Sequence, residues 1–231
     1  GLAAFASSPG YLPLALAAFM LVALGLFMST LHLGKPKRFY RGFNNLRHSP
    51  VSREGLGIAL FIAGVGAHVA FSLAAHPFAA AFVPPAATAA ANAAAGVGGI
   101  VALAAGGAGL YYMTRCYRIK ARPFWDHWQV ATAFGGSALA LGALLVAAFA
   151  VPALDGADRA AAGFVCAAAL LAGIVVEGLG HVAHTKSLAA AGHEGAASHY
   201  VQRTTFGKTW IARNVLLGAN AVFVVLLLAA F

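Results

Sequence analysis

The chain has 231 residues, of which 61% are hydrophobic and 9% are charged, with 15 Lys and Arg against 6 Asp and Glu. Soluble globular domains carry roughly 25% charged residues, so this composition excludes a soluble enzyme. The formal net charge of +9 would suggest nucleic-acid binding in a soluble protein. Here the basic residues fall between long apolar runs, where they set the orientation of a membrane protein.

Six apolar runs are each long enough to cross about 30 Å of hydrocarbon as a helix. These predicted spans lie at about 11–33, 55–76, 93–114, 128–151, 160–183 and 211–230. They predict an all-α fold, a polytopic transmembrane helical bundle that forms a single domain over residues 1–231.

Prolines and glycines mark two features near the third span. Pro84 and Pro85 lie in the segment 77–92, where we expect a loop or an interfacial turn. Glycines that follow favour close contact between helices, and they are Gly96, Gly98, Gly99, Gly106, Gly107 and Gly109.

Lys and Arg residues cluster in three of the connections between spans. Six lie between spans one and two, four between three and four, and four between five and six, while Arg159 lies elsewhere. The positive-inside rule predicts that these three connections face the cytoplasm and that both ends of the given chain face the opposite side. No basic region precedes the first apolar run, so we expect no cleaved signal peptide, and the missing initial Met fits a fragment.

The two cysteines, Cys116 and Cys166, are fifty residues apart. They form neither a disulfide framework nor a CxxC cluster. We therefore expect no metal site and no iron–sulfur cluster held by this chain alone.

Span five carries a stripe of ionisable side chains. Glu177, His181 and His184 follow one another at spacings of four and three and therefore lie on one helical face. Because an ionisable residue inside a membrane is costly, it is by default a candidate functional residue. Both parts of the stripe have a purely structural alternative. Glu177 would form an ion pair with a neighbouring Arg or His, and the two histidines would lie at the interface with their rings extended to water.

Polar residues of the other spans are predicted to reach the same side of the membrane. They are His32 at the end of span one, Glu54 at the start of span two, Arg115 and Tyr117 at the end of span three, Trp125 to Trp128 before span four, and Arg213 in span six. Glu54 has a structural alternative, in which it complements the helix macrodipole and Ser52 is the N-cap.

A haem b cytochrome and a transporter are alternative functions. His68 lies about 21 Å along its helix from Glu54, towards the opposite side. A bis-histidine haem needs two imidazoles at similar depth, which leaves His32 with His181 as a possible pair. A transporter is expected to have inverted repeats, and no convincing repeat relates the two halves of the chain.

Two stretches resemble a known family, namely S-T-L-H-L-G-K-P-K-R-F at 29–39 followed by V-S-R-E-G at 51–55, and R-C-Y-R-I-K-A-R-P-F-W at 115–125. They resemble the membrane anchor subunit of dimethyl sulfoxide reductase and its relatives. The E-G-x-x-H-V-A-H stretch at 177–184 and the helix of Arg213 match more weakly. The resemblance implies eight spans, of which this chain would hold the middle six, without the Gly-Arg element of the family's last span.

The resemblance also implies a three-part complex. A molybdopterin catalytic subunit and an iron–sulfur electron-transfer subunit would be held by an anchor that binds quinone or quinol, either menaquinone or ubiquinone, and has no redox cofactor of its own. The residues that match the family's quinol site are His32, Gly34, Arg38 and Glu54.

Quinol chemistry agrees with the polar residues already singled out. Quinol oxidation releases two protons with two electrons, and His and buried Glu side chains can exchange protons near neutral pH. The predicted catalytic residues are His32, Glu54, Glu177 and His181. To the residues matched at the quinol site we add, as predicted cofactor-binding residues, Tyr40, Arg115, Tyr117, His184 and Arg213.

The loop from Lys35 to Arg53 is the most basic connection and contains Phe39, Tyr40 and Phe43. It is a candidate docking face for the iron–sulfur partner, and a solvated loop that only sets topology is an equal alternative. Its charge places the site on the cytoplasmic side of a bacterial inner membrane. This side favours the branch that resembles cytoplasm-facing sulfite dehydrogenase over a periplasm-facing sulfoxide reductase.

Overall fold

The computed structural model describes residues 2–31, 34–79, 82–122, 124–190, 192 and 195–229. These residues form helices, turns and bends, with no β-strand among them. The α-helices are α1 (Leu2–Ala6), α2 (Tyr11–Leu31), α3 (Pro50–Ala74), α4 (Pro85–Tyr117), α5 (Gln129–Ala153), α6 (Gly156–Ala189), α7 (Ala196–Thr204) and α8 (Gly207–Ala229). Two 3-10 helices cover Pro36–Phe43 and Pro77–Ala79. The predicted all-α fold is confirmed.

Six of the α-helices, namely α2, α3, α4, α5, α6 and α8, are long and apolar enough to cross a membrane. They agree in number and order with the six predicted spans, which confirms a polytopic helical protein. The longest of them, α6, has 34 residues and is therefore about 51 Å long. Because the hydrocarbon core is only about 30 Å thick, the ends of α6 extend into the interfacial layers.

The loop predicted at 77–92 is wrong over its second half, because α4 begins at Pro85. Proline is accepted in the first turn of a helix, where its missing N–H would have no intrahelical partner. The Pro84 carbonyl accepts hydrogen bonds from the N–H groups of Ala87 and Thr88. The two prolines therefore start α4 and do not interrupt it.

The N-cap of α3 is Ser49, and the prediction of Ser52 is wrong. Ser49 Oγ accepts a hydrogen bond of 3.3 Å from the Ser52 N–H, and Pro50 occupies the first helical position. The helix thus begins earlier than predicted, and Glu54 lies beyond its first turn. Because the macrodipole effect falls off within that turn, this position weakens the purely structural explanation of Glu54.

The chain divides into two compact units. Unit 1 comprises Gly1–Ser8 and Thr114–Phe231, and unit 2 comprises Pro9–Met113. The single domain over 1–231 stays a prediction.

In unit 2, α3 and α4 pack backbone against backbone at glycines. A Cβ at Gly64 would lie 2.7 Å from the Ala102 nitrogen, and a Cβ at Gly98 would lie 2.7 Å from the His68 nitrogen. Side chains there would force the helices apart, and small residues are the usual means of close approach between membrane helices. The predicted contact holds at Gly98, whereas a Cβ at Gly96 would meet nothing within 4 Å.

His68 joins the three long helices of unit 2 through both of its ring nitrogens. The Tyr11 hydroxyl lies 2.7 Å from Nε2, and the Ala95 carbonyl oxygen lies 2.8 Å from Nδ1. Because a carbonyl can only accept, Nδ1 carries the hydrogen and Nε2 accepts from the tyrosine. These contacts are those of a polar side chain that links membrane helices.

In unit 1, α5 packs closely against α6, and α8 packs against α6 as well. A Cβ at Gly136 would lie 2.7 Å from the Gly173 carbonyl oxygen, so the backbones of α5 and α6 touch at this point. The contact between α6 and α8 has a buried apolar cluster of Ala167, Ile174 and Val224. Residues of α5, α6 and α8 consequently share the wall of one cleft.

Candidate functional site

The polar stripe of α6 makes contacts inside unit 1. Glu177 is hydrogen-bonded to α5, His181 to α8, and His184 to the connection between α4 and α5. The helical face predicted from the spacing of these residues is therefore packed against protein.

Glu177 is half-buried beside α5. The Ser137 hydroxyl donates a hydrogen bond of 3.1 Å to Glu177 Oε2. Gly136 makes this approach possible, because a Cβ there would lie 3.0 Å from the Glu177 Cβ. The carboxylate thus has a polar neighbour within helices that cross the membrane.

His181 is paired with a cation on α8. Arg213 Nη2 lies 2.5 Å from His181 Nε2, and arginine has only donors, so the imidazole nitrogen accepts. This contact requires a neutral His181 with its hydrogen on Nδ1. Asn214 also interacts with the ring, and Arg213 interacts electrostatically with Glu177. The guanidinium group of Arg213 therefore interacts with both the imidazole and the carboxylate.

His184, one turn beyond His181 on α6, lies beside a second imidazole, that of His127. His184 Nε2 lies 2.8 Å from the Phe124 carbonyl oxygen and must donate to it. The rings of His184 and His127 have centroids 5.0 Å apart. His127 Nδ1 accepts a hydrogen bond of 3.0 Å from the Gln129 N–H. The ionisable stripe consequently continues from α6 onto the connection before α5.

A cleft of about 400 Å³ opens beside Glu177, His181 and Arg213. The other residues of its wall include Gln129, Thr209, Leu216, Leu217 and Asn220. Ligand cavities commonly have volumes of about 300–1,000 Å³ and combine apolar walls with a few polar groups. The cleft has both properties.

Two more cavities border the beginning of α8. One of about 620 Å³ has Phe124, Phe206 and Arg213 in its wall, and one of about 660 Å³ includes His181 and Trp210. Trp210 Nε1 is buried and has no hydrogen-bond partner within the described part of the chain. A buried donor without a partner costs free energy, and a ligand that offers an acceptor would remove this cost.

The cleft offers both kinds of hydrogen-bonding group. Arg213, Gln129 and Asn220 can donate, while Glu177 can accept. Glu177 and His181 can also take up or release a proton. The cleft therefore suits a small ring whose oxygen atoms change between carbonyl and hydroxyl.

The candidate residues of unit 2 lie at the start of α3 and in the loop before it. Gly34 is exposed, and so are Arg38 and Tyr40 in the first 3-10 helix. Glu54 is half-buried in α3, and His32 lies outside the described residues. A pocket that these residues share with the α6 stripe stays a prediction.

Arg53 fastens that loop to α3. Its guanidinium group donates hydrogen bonds of 2.8 Å and 2.6 Å to the carbonyl oxygens of Leu46 and Arg47. The same group lies over the Tyr112 ring, 5.4 Å from its centroid. The end of the basic loop, at Leu46 and Arg47, is thus hydrogen-bonded to the start of α3.

Arg115 and Tyr117 lie at the end of α4. The Tyr117 ring contacts Trp125 and Phe134, with centroids 6.2 Å and 5.5 Å away, and Arg115 is exposed. Neither is among the described residues in the wall of the 400 Å³ cleft. Their role in binding stays a prediction.

Sequence reasoning missed four polar residues of this region, namely Gln129, Ser137, Trp210 and Asn220. Asn220 lies seven residues after Arg213, two turns along the same face of α8, and this spacing was a usable signal. For Ser137 and Gln129 the chain offers no such signal, because their contacts depend on the register between α5 and α6.

Metal ligands do not converge in the described part of the chain, where no three His, Cys, Asp or Glu side chains come close enough to hold an ion. Of the histidines considered for haem, His68 has both nitrogens in hydrogen bonds and His181 accepts from Arg213. His32, the other member of the possible haem pair with His181, lies outside the described residues.

Comparison with known protein families gives a match over most of the chain. The family model described as DMSO reductase anchor subunit (DmsC) matches residues 12–230. No curated protein and no solved structure matches the chain. The match covers all six candidate membrane spans but the first residue of α2. The chain therefore belongs to the family of DMSO reductase anchor subunits, the multi-pass membrane components of a molybdopterin oxidoreductase complex.

Proposed function

We propose that this chain binds a quinone or quinol and exchanges its electrons with an iron–sulfur partner, while Glu177 and His181 handle the protons. The observation that carries the proposal is the cleft in which Glu177, His181 and Arg213 meet among membrane-spanning helices. A bound quinol supplies two electrons and two protons for each molecule oxidised.

The cavities around α8 support this ligand. A quinone needs donors for its carbonyl oxygens, and Arg213, Gln129 and Asn220 can donate. It also needs an apolar surface for its hydrocarbon tail. The 660 Å³ cavity is lined mainly by apolar residues of α6 and α8, and His181 is in its wall and in the wall of the cleft. A polar head and an apolar tail can thus be held side by side.

Each side chain has a role in this proposal. When quinol is oxidised, Glu177 accepts one hydroxyl proton directly, and His181 accepts the other at Nε2 as its contact with Arg213 opens. In quinone reduction both side chains donate these protons. Arg213 holds the neutral form of His181 and offsets the charge of Glu177. Ser137 keeps the carboxylate in place through its hydrogen bond. General acid–base catalysis of this kind contributes about 10²- to 10⁴-fold to a rate.

The resemblance separately supports His32, Gly34, Arg38 and Glu54 as quinol-contacting residues. These four residues match the positions that form the quinol site in the family. Substituting Glu54→Gln and Glu177→Gln in parallel separates the two placements, because only the acid that contacts the reacting oxygens should be essential for turnover.

The partners are the iron–sulfur subunit and, through it, the molybdopterin catalytic subunit. The basic loop supports docking, since Phe39 and Tyr40 are more than half exposed beside its Lys and Arg side chains. Exposed aromatic residues next to Arg are typical of interface centres. Purification of the complex should yield molybdenum, iron and sulfide in fixed ratio to this chain, and an isolated homo-oligomer would contradict the partner proposal.

The charge distribution supports a bacterial cytoplasmic membrane with the basic loop on its inner side, as in the sulfite dehydrogenase type of complex. Cysteines introduced at exposed positions of 34–49 should react with a membrane-impermeant reagent only after cells are opened. Labelling in intact cells would instead assign the sulfoxide reductase type.

Glu177→Gln tests the function most simply. Glutamine has nearly the same shape and its carbonyl can still accept from Ser137, so the fold should persist. We expect quinol-linked turnover of the complex to fall about 100-fold. Asp158→Asn is the matched control, because Asp158 is an exposed acid about 28 Å along the same helix. Equal turnover in both variants would mean that Glu177 has only a structural role.

A further inference from the structure

We propose that the region where α6, α7 and α8 meet binds the phosphate group of an anionic phospholipid at the membrane surface. This inference does not depend on the quinone function. It concerns a cavity of about 410 Å³ between α7 and the end of α6, with a wall that includes Leu188, Ala189, Ala196, His199 and Arg203. These five residues are not among those described in the wall of the quinone cleft.

His199 is a buried polar side chain in the wall of this cavity. Only 8% of its surface is exposed, and its Nδ1 has no hydrogen-bond partner within the described part of the chain. Such an atom destabilises a protein unless a ligand or water pairs with it. Because the χ2 torsion of histidine is broad, a small turn of the ring brings Nδ1 to a group held in the cavity. His199 therefore points to a ligand that offers an acceptor.

Arg203 supplies the positive charge of the cavity. It follows His199 by four residues and so shares its face of α7. Its guanidinium group lies over the Trp210 ring, 5.5 Å from the centroid. Stacking occupies the face of a guanidinium group and leaves the N–H groups at its edge to bind a phosphate. The ion pairs among the described residues involve Arg118 and Arg159, so Arg203 has no acidic partner there.

The helix ends at the cavity are compatible with an anion. The nine-residue helix α7 begins at Ala196 without a side-chain cap, so the N–H groups of its first turn lie at the cavity wall. The carbonyl end of α6 also borders the cavity, and Lys186 in its last turn offsets the negative end of that helix. From 186 to 213 the sequence holds four basic residues and one acidic residue, Glu194.

A phospholipid fits this region better than a free phosphate ion. Helix α7 connects two helices that can cross the membrane, so it lies at the level of the lipid headgroups. Trp210, which stacks on Arg203, has a second buried donor without a partner and borders the cavity of about 620 Å³. Phosphate and ester oxygens of one lipid could accept from both donors, with an acyl chain against the apolar wall. Basic pockets on the cytoplasmic side, where the positive-inside rule puts this connection, suit acidic lipids.

Two variants and one control test the site. Arg203→Gln removes the charge from an exposed side chain, so the fold should persist. Lys208→Gln is the matched control, because Lys208 is an exposed basic residue nearby that is not among the described residues of the cavity wall. His199→Phe keeps a ring of similar shape and removes the unpaired nitrogen. It should therefore stabilise the lipid-free protein while it weakens lipid binding.

The experiment titrates the whole complex in detergent with phosphatidylglycerol, with phosphatidylcholine or with inorganic phosphate, and measures bound lipid by native mass spectrometry and the melting temperature. We expect phosphatidylglycerol to bind and to raise the melting temperature more than the other two ligands do. Arg203→Gln should weaken its binding at least about 10-fold, as for the loss of a hydrogen bond to a charged group.

Lys208→Gln should weaken the binding of phosphatidylglycerol by no more than about 5-fold, the effect of one basic residue near an anionic surface. His199→Phe should raise the melting temperature without lipid and reduce the further rise that phosphatidylglycerol causes. Equal losses in Arg203→Gln and Lys208→Gln, or unchanged binding in Arg203→Gln and His199→Phe, would overturn the site. An equal rise in melting temperature with inorganic phosphate would overturn the assignment to a lipid.

Discussion

Gly136→Ala should disturb the candidate site through a single methyl group. The new Cβ would lie 2.7 Å from the Gly173 carbonyl oxygen, whereas ordinary contact begins at 3.4 Å. The helices α5 and α6 must therefore separate by about 0.7 Å. The 3.1 Å hydrogen bond between Ser137 and Glu177 would lengthen to about 3.8 Å, beyond hydrogen-bonding range. Overpacking of this kind costs about 1–3 kcal/mol.

The neighbouring variant Gly135→Ala is the matched control. It lies on the same helix, and its Cβ would meet nothing within 4 Å. Both variants gain the higher helix propensity of alanine, about 1 kcal/mol, so their difference isolates the contact. We expect Gly136→Ala to melt at a lower temperature in nanodiscs than Gly135→Ala and to lose quinol-linked turnover. Equal melting temperatures and equal turnover would refute the close packing of α5 on α6 at this point.

Two further substitutions test the packing of unit 2 and the start of α3. Tyr11→Phe removes the hydrogen bond to His68 and should lower the stability of the protein in a membrane by about 0.6 kcal/mol. The measurement is the melting temperature, and the control is Tyr111→Phe, because the Tyr111 ring is exposed. A stability equal to that of the control would mean that the bond is not formed. Ser49→Ala removes the N-cap and should cost about 1 kcal/mol, seen as faster amide hydrogen exchange at Ser52, and unchanged exchange would contradict the cap.

The membrane spans could be predicted from sequence because their signal is local. Long apolar runs with few charged residues identify α2, α3, α4, α5, α6 and α8, whatever these helices pack against. Helix starts were harder, since the effect of a proline depends on its position. Pro85 breaks a helix interior but starts a helix at its first position, and this ambiguity led to the wrong loop at 77–92.

The candidate site was predictable only in part. The spacing along α6 gave the stripe of Glu177, His181 and His184, and the positive-inside rule put Arg213 at a similar depth. The structure brings Arg213 and His181 into contact, while the catalytic roles stay predictions. Ser137 was missed because its partner is chosen by helix register, which the backbone contact at Gly136 fixes and local sequence does not.

The location of the quinone head is the most direct test of the account. A photoactivatable azidoquinone, bound to the intact complex and illuminated, should label peptides from 174–182 of α6 and 209–221 of α8, and excess quinone should abolish the labelling. Labelling confined to peptides of unit 2 would contradict the assignment of the cleft at Glu177, His181 and Arg213 as the quinone site.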